Sequence, residues 1–172
     1  MKISQAMIVK NEEKNIEKAL SWGKGIVSEQ IVVDTGSTDR TVEIAKSMGA
    51  KVYHFLWQDD FSLAKNFAIG KCKYPWITML DADEYFLEED ARKLKYYIEL
   101  VDKDLDIHGL ATALVDLKNE DGEVRSINRT IRIFRNRKDI LYRRAIHEQL
   151  ELLNGKDFTA ADCTKELSVY HT

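Results

Sequence analysis

Proline occurs once in this 172-residue chain, at Pro75, and cysteine only twice, at Cys72 and Cys163. A single proline leaves no room for a proline-rich linker between domains. Two cysteines far apart, outside any metal-ligand spacing, exclude a disulfide scaffold and a zinc site; they read as reduced thiols of a cytosolic protein. Long apolar runs are missing too. The N-terminal stretch Met1 to Val9 is too short for a signal peptide, and no span approaches membrane length. Excess charge of either sign is absent, the net charge being −3. That balance argues against a nucleic-acid-coating protein, and 44% hydrophobic residues argue against long disorder. There is no internal repeat or low-complexity run. The length suits one domain with a sizeable core. The chain ends directly after an apolar, strand-like stretch, which suggests a domain cut from a longer protein.

What is present is organised around Trp76-Ile77-Thr78-Met79-Leu80-Asp81-Ala82-Asp83-Glu84. A run of buried-strand length ends abruptly in three carboxylates within four residues. If the extended conformation persists, Asp81 and Asp83 point the same way. Two close carboxylates stay ionised at neutral pH only with positive charge between them, and a divalent cation bridging phosphates would supply it. The alternative is a surface turn that caps the next helix.

The first half alternates strand and helix. Ile3 to Val9 reads as a strand, followed by the polar turn Lys10 to Asn15. A helix carrying Ile16, Ala19, Leu20 and Trp22 then closes at Gly23 and Gly25. Gln30 to Asp34 is a β-branched strand ending in an acid. In Thr35-Gly36-Ser37-Thr38-Asp39, Gly36 suits positive φ, Ser37 or Thr38 can cap the next helix, and Asp39 suits its first turn. That helix carries Val42, Ile44, Ala45 and Met48 and ends at Gly49. Lys51 to Leu56 reads as a third strand. Asp59 and Asp60 open a helix with Phe61, Ala64, Phe67, Ala68 and Cys72, which leads to the strand before the acids. Four strands alternating with three helices imply parallel pairing and right-handed crossovers.

After Phe86 the rhythm changes. Glu88 to about Lys103 is a charged helix with Leu94, Tyr97, Ile98 and Val101 on one side. Gly109 to Leu117, a turn at Asn119-Glu120-Asp121-Gly122, and Glu123 to Phe134 form an antiparallel hairpin. Ile140 to Tyr142 is a short extended piece, Gly155 to Asp162 carries little pattern, and Lys165 to His171 reads as a last strand.

Several residues carry chemistry in two readings. Asp34 and Asp81 end the second and fourth strands and therefore share one sheet edge, where ligands of open α/β sheets sit. Asp34 suits a ribose hydroxyl or base N–H, or equally a turn of its own loop. Lys65 lies on a partly apolar helical stripe and either snorkels to the rim or reaches an anion; Asn66 is similarly ambiguous. His147-Glu148 offers a metal or phosphate ligand and a general base, or a solvated helix start. His171 is a metal ligand or a terminal residue. From Arg125 to Arg144 eight basic residues face one acid, Asp139, which reads as a solvated basic face or a surface for a phosphate-bearing or acidic acceptor. Nucleic acid is disfavoured by the acidic flanks and sparse aromatics.

Taken together, Met7-Ile8-Val9-Lys10-Asn11-Glu12-Glu13, Ile31-Val32-Val33-Asp34-Thr35-Gly36-Ser37-Thr38-Asp39, Phe61-Ser62-Leu63-Ala64-Lys65-Asn66 and Leu80-Asp81-Ala82-Asp83-Glu84 resemble family 2 glycosyltransferases of the GT-A fold. The resemblance is to the branch with lipopolysaccharide-core and bacteriocin S-glycosyltransferases. It covers residues 3 to 86 well and continues more loosely to His171. It implies an α/β fold whose mixed sheet has a parallel N-terminal half, helices on both faces and an antiparallel C-terminal part. Residues 1–86 would be the nucleotide-binding half and 87–172 the acceptor-side half of one domain.

The resemblance further implies an enzyme that transfers a sugar with inversion from a nucleotide-sugar donor, most often a UDP-sugar. Asn11 and Glu12 would lie in the nucleotide-binding loop, Asp34 at the uracil and Asp81 at the ribose. Lys65 stands where the family usually has an arginine near the base and phosphates; it offers a point charge rather than a planar fork. Asp83 would hold Mg²⁺ or Mn²⁺ at the diphosphate, with His171 as the histidine near the close of the core domain. Glu148 would be the base and His147 the second choice. The acceptor would be a saccharide, a lipid-linked glycan or a peptide. The expected location is cytoplasmic, with peripheral contact at the inner face of a membrane left open, as is oligomeric state. A module that binds the sugar nucleotide without turnover is the alternative. A nucleotidyltransferase ranks last, because Lys10-Asn11-Glu12-Glu13 has no glycine for a phosphate loop. A receiver-type signalling domain does not fit the hairpin after the fourth strand.

Overall fold

In the computed structural model, which describes residues 1–118 and 122–172, the elements run in the order β1 (Ile3–Val9), α1 (Ile16–Ser21), β2 (Glu29–Asp34), α2 (Thr41–Ser47), β3 (Lys51–His54), α3 (Phe61–Ile69), β4 (Trp76–Met79) and β5 (Glu84–Phe86). They continue with α4 (Glu88–Val101), β6 (Gly109–Leu117), β7 (Val124–Arg135), β8 (Ile140–Arg143), β9 (Gln149–Leu152), β10 (Ala160–Asp162) and β11 (Ser168–His171). The expected hairpin turn at residues 119–122 lies, for 119–121, outside the described residues.

Strand β1 anchors the parallel half. It pairs with β2, from Ser4 opposite Glu29 to Val9 opposite Asp34, and with β4, from Ile3 opposite Trp76 to Ala6 opposite Met79. The sheet order is β3-β2-β1-β4-β7-β6-β11-β5, with β10 also on β6. All pairs among β1 to β4 are parallel; β7 enters antiparallel to β4 and to β6. The second half is mixed rather than antiparallel throughout, because β10 and β11 both run parallel to β6.

Period two divides the core. Ile3, Met7 and Val9 face one way, where α1, α2 and α4 supply Ile16, Leu20, Ala45, Leu94 and Ile98. Ala6, with Ile31, Val33, Ile77, Met79 and Phe134, faces the other way, onto Ala68 and Ile69 of α3 and Tyr142 and Leu152 of the separate β8–β9 ribbon. Helices therefore cover both faces.

Three local expectations change. The third strand stops at His54 rather than Leu56, whose side chain is 85% exposed. The chain does not stay extended through the acids: β4 ends at Met79, and Glu84 N–H donates to the Asp81 carbonyl at 3.0 Å, closing a turn. The basic run is not one solvated face either. Arg135 is buried, lies 4.6 Å over the Trp76 ring, and donates to the carbonyls of Val101, Asp102, Asp104 and Ile107.

Candidate active site

The carboxyl ends of β1 and β4 open into a cleft of about 510 Å³ lined by Glu12, Thr35, Asp81, Asp83, Arg132 and His171, with Trp57 and Phe61 at its wall. Parallel pairing through β1 brings these strand ends to one edge, as alternating strands and helices require.

The turn after β4 gives the two aspartates different partners. Asp81 receives Lys65 Nζ at 3.2 Å and Arg132 Nη2 at 3.2 Å. Burial would raise its pKa, but Lys65 and Arg132 outweigh that and hold the carboxyl below its ordinary range. Glu84, buried beside it, accepts from Arg132, and its carboxylate also receives Asp81 N–H at 3.1 Å. Burial and the neighbouring Asp81 push Glu84 upward despite Arg132. Asp83 takes a different partner: its Oδ2 lies 3.1 Å from His171 Nε2, while His171 Nδ1 lies 2.9 Å from Asp116 Oδ1. Burial disfavours the imidazolium, yet Asp116 and Asp83 raise the His171 pKa above its ordinary value.

Lys65 is 2% exposed and belongs to the interior, not the rim. Besides Asp81 it donates to Glu148 Oε1 at 2.6 Å. Burial alone would discharge an ammonium, but the Asp81 and Glu148 carboxylates reverse this and its pKa rises. Glu148 lines a second cavity of about 370 Å³, between β7 and the β8–β9 ribbon, that shares Arg132 with the cleft. His147 is exposed, in a left-handed turn (φ 56°) leading into β9, and borders neither space. The segment is a turn and strand rather than a helix start.

Asn11 and Asp34 hold loops. Asn11 (φ 57°) receives Thr38 N–H at 2.8 Å on Oδ1, and its own N–H donates to Ser37 at 2.9 Å. Glu12 N–H donates to Thr41 Oγ1 at 2.7 Å, so the loops after β1 and β2 are tied together. Asp34 accepts Ser37 N–H at 3.0 Å and Gly36 N–H at 3.3 Å and sits 3.2 Å from His54 Nδ1. Gly36, at φ +112°, makes that turn affordable in steric terms. Burial raises the Asp34 pKa, and the Ser37, His54 and Gly36 contacts more than reverse it. The carboxylate does not itself border the cleft.

Residues that the sequence did not single out complete the site. Arg132 was one of eight basic residues in a run. Glu84 was only the third acid of the cluster, and Asp116 a strand residue. Trp57 and Phe61, edge to face at 4.9 Å, add an aromatic wall. Asn66 settles as a staple: it receives Tyr142 N–H at 2.9 Å and donates to the Tyr142 carbonyl at 2.9 Å, fixing β8 to α3.

A divalent cation would meet Asp83 and His171 here. A histidine whose second nitrogen rests on a carboxylate is oriented as metal ligands are. Among the described residues no three His, Cys, Asp or Glu side chains form a ready-made ligand group. Two protein ligands suit Mg²⁺ or Mn²⁺, which take remaining oxygens from water and substrate phosphates.

Comparison with known proteins gives one consistent result. The family model described as Glycosyl transferase family 2 matches residues 4–145. A TPR repeat-containing protein of Synechococcus elongatus is 38% identical over 149 residues, covering 87% of this chain and 35% of that protein. The chain thus spans about a third of that relative's length. The structure of S. aureus TarS aligns over 100% of this chain and 60% of its own, with a TM-score of 0.69 at 18% identity. Glucosyl-3-phosphoglycerate synthase of Mycobacterium tuberculosis, in complex with Mn²⁺, uridine diphosphate and glucosyl-3-phosphoglycerate, aligns over 68% of this chain and 44% of its own (TM-score 0.53, 20% identity). These likenesses carry the fold.

Proposed function

The chain belongs to the family 2 glycosyltransferases, and from that premise we propose that it transfers a sugar from a UDP-sugar, with inversion and with Mg²⁺ or Mn²⁺, to a saccharide, lipid-linked or peptide acceptor. The observation that carries the proposal is the convergence of Asp81, Asp83, Arg132 and His171 on one cleft at the carboxyl edge of the parallel strands. Uridine diphosphate and Mn²⁺ bound together in a protein of the same fold are consistent with it.

In this reading the base lies toward the Asp34 turn and the aromatic wall, and Asp81 meets the ribose. The loop of Asn11 and Glu12 borders the nucleotide. Asp83 and His171 hold the metal, which when bound neutralises charge on the leaving diphosphate. An acceptor O–H or S–H forms the new bond to the anomeric carbon as the bond to the diphosphate oxygen breaks. Its proton passes to Glu148, on the side opposite the leaving group. Lys65 bridges Asp81 and Glu148, and together with Arg132 it holds the Asp81 carboxyl below its ordinary range.

A second reading, donor binding without turnover, is favoured by one observation: Glu148 borders the neighbouring cavity rather than the cleft itself. Calorimetric titration of UDP with and without Mn²⁺, on the wild type and on Asp83→Ala, tests the donor assignment. Metal-dependent binding that the substitution weakens supports it; no binding in either condition removes it. Turnover with an acceptor separates the two readings.

A further inference from the structure

Among the buried polar atoms left without a hydrogen-bond partner are the Tyr142 hydroxyl and Arg132 Nε, and both residues border the 370 Å³ cavity beyond the cleft. Tyr142 is 4% exposed, and burial pushes its hydroxyl pKa up, so it is an O–H donor at neutral pH. Arg132 spends Nη2 on Glu84 and Asp81, which leaves the Nε–H unused. Buried donors are ordinarily satisfied, so two orphans in residues of one cavity wall leave hydrogen-bonding capacity there that the chain itself does not use.

The cavity is built by an irregularity in β7. Leu110 pairs with Ile133 but Ala111 pairs with Ile131, so Arg132 is the extra residue of a β-bulge. On a regular strand Arg129 and Arg132, an odd number of residues apart, would face opposite sides of the sheet. The bulge breaks the alternation at Arg132, and residues 129–132 all border the cavity. Gly109, opposite Phe134, admits the other wall. A Cβ there would stand 2.7 Å from the Ile133 carbonyl oxygen and 3.2 Å from the Phe158 ring, which borders the cavity.

The cavity is also polar along its length. At one end Glu148, held by Lys65, lies next to the donor cleft. Arg129, exposed and in no ion pair among the described residues, lines the same cavity from β7. A carboxylate and an unpaired guanidinium lining one cavity match a molecule that carries a hydroxyl and an anion.

We propose that this cavity is the acceptor subsite and that it selects a sugar bearing an anionic group. Arg129 pairs with the anion, the Tyr142 hydroxyl and Arg132 Nε–H donate to ring or anion oxygens, and the reacting hydroxyl faces Glu148. The inference rests on the transferase reading of the cleft and narrows its acceptor to carboxylate- or phosphate-bearing sugars.

The test is a set of protein-detected NMR titrations in the presence of UDP and Mg²⁺. The probes are glucose, glucuronate and glucose 6-phosphate; the proteins are wild type, Arg129→Ala, Arg143→Ala and Tyr142→Phe. Wild type is expected to bind at least one anionic probe about tenfold or more tighter than glucose, the tighter anion identifying the group read. Arg129→Ala removes that preference, whereas Arg143→Ala, an exposed arginine of the ribbon outside the cavity, keeps it. Tyr142→Phe weakens the probes several-fold without lowering the midpoint of thermal unfolding, because the hydroxyl has no partner in the folded chain. Equal affinity for all three probes, no binding of any, or equal losses in Arg129→Ala and Arg143→Ala overturns the inference. UDP is titrated alone in parallel. Its failure to bind wild type overturns the donor reading and this one with it; UDP binding without anion preference overturns this one alone.

Discussion

Lys65 Nζ donates to Glu148 Oε1 at 2.6 Å across 83 residues of sequence, and this contact joins the two halves of the site. The same ammonium reaches Asp81 at 3.2 Å. Removing it leaves two carboxylates facing each other with one cation fewer. Lys65→Met is therefore expected to destabilise the fold by about 3–5 kcal/mol, the range for breaking a buried ion pair from one side. Adding Glu148→Gln should recover part of that loss, because the two residues are coupled. Urea denaturation of the wild type, both single variants and the double variant measures the coupling. Strict additivity would show that Lys65 serves Asp81 alone.

The metal assignment turns on a histidine held between two aspartates. His171→Ala and Asp83→Asn are each expected to weaken Mn²⁺-dependent UDP binding strongly while leaving metal-free UDP binding near its wild-type level. Asp116 touches only the far nitrogen of His171. Asp116→Asn should then cost about 10- to 100-fold in metal affinity, the usual effect of an orienting partner. Titration of Mn²⁺ into the UDP complex, followed by paramagnetic relaxation, reads all three. Unchanged Mn²⁺ affinity in Asp116→Asn would mean that His171 needs no orientation.

Far from the cleft, Glu29 makes a clean acid-stability probe. Its buried carboxylate accepts from Ser4 Oγ at 2.7 Å, Lys73 N–H at 2.7 Å and Lys51 Nζ at 2.8 Å. Burial raises its pKa, but the bonds from Lys51, Lys73 and Ser4 prevail and the folded pKa lies below the unfolded one. The folded state thus holds fewer protons in that window. The stabilisation is complete above the unfolded pKa and disappears as pH falls through the folded pKa. Glu29→Gln is expected to lower stability by about 1–3 kcal/mol at pH 7 and by progressively less below about pH 5. Urea midpoints at pH 7, 5, 4 and 3 check this; a difference that stays constant with pH would exclude the carboxylate as the cause.

These sites were unevenly legible. The β-branched strands ending in Asp34 and Asp81 announce themselves, because parallel strands alternating with helices place those ends on one edge. Lys65 allowed two readings because a helical stripe does not say what packs on it; Glu148 comes from a ribbon over 80 residues away. Arg132 was hidden in the basic run for a different reason. Which face it takes depends on a bulge, and a bulge exists only relative to the partner strand. Asp81 and Asp83 share a side by strand period only if the strand runs on; the Asp81–Glu84 turn, tied by backbone and carboxylate, ends it and gives them different partners while both line the cleft. Strand β5 was missed because three residues of sequence carry no period; β11 defines it, pairing His171 with Glu84 and Val169 with Phe86.

Asn66 offers the last prediction, since it separates positioning from donor binding. Its amide closes two hydrogen bonds with the Tyr142 backbone, and the start of α3 adds Phe61 N–H to the Ala145 carbonyl at 3.1 Å and Ser62 Oγ to the Arg144 carbonyl. The ribbon that carries Tyr142 and leads to Glu148 is thus fastened to the helix that carries Lys65. Asn66→Ala opens both amide bonds and leaves a buried N–H and C=O unpaired, at a cost of about 1–3 kcal/mol for each group left unsatisfied. Asn66 itself borders neither cavity. UDP affinity is therefore expected to stay within about twofold, whereas turnover falls by about 10²-fold as Glu148 loses its place, the scale that a 1 Å misplacement produces. Isothermal titration of UDP beside a transfer assay reads the split. Equal losses in both would assign Asn66 to the fold as a whole rather than to the link between the halves.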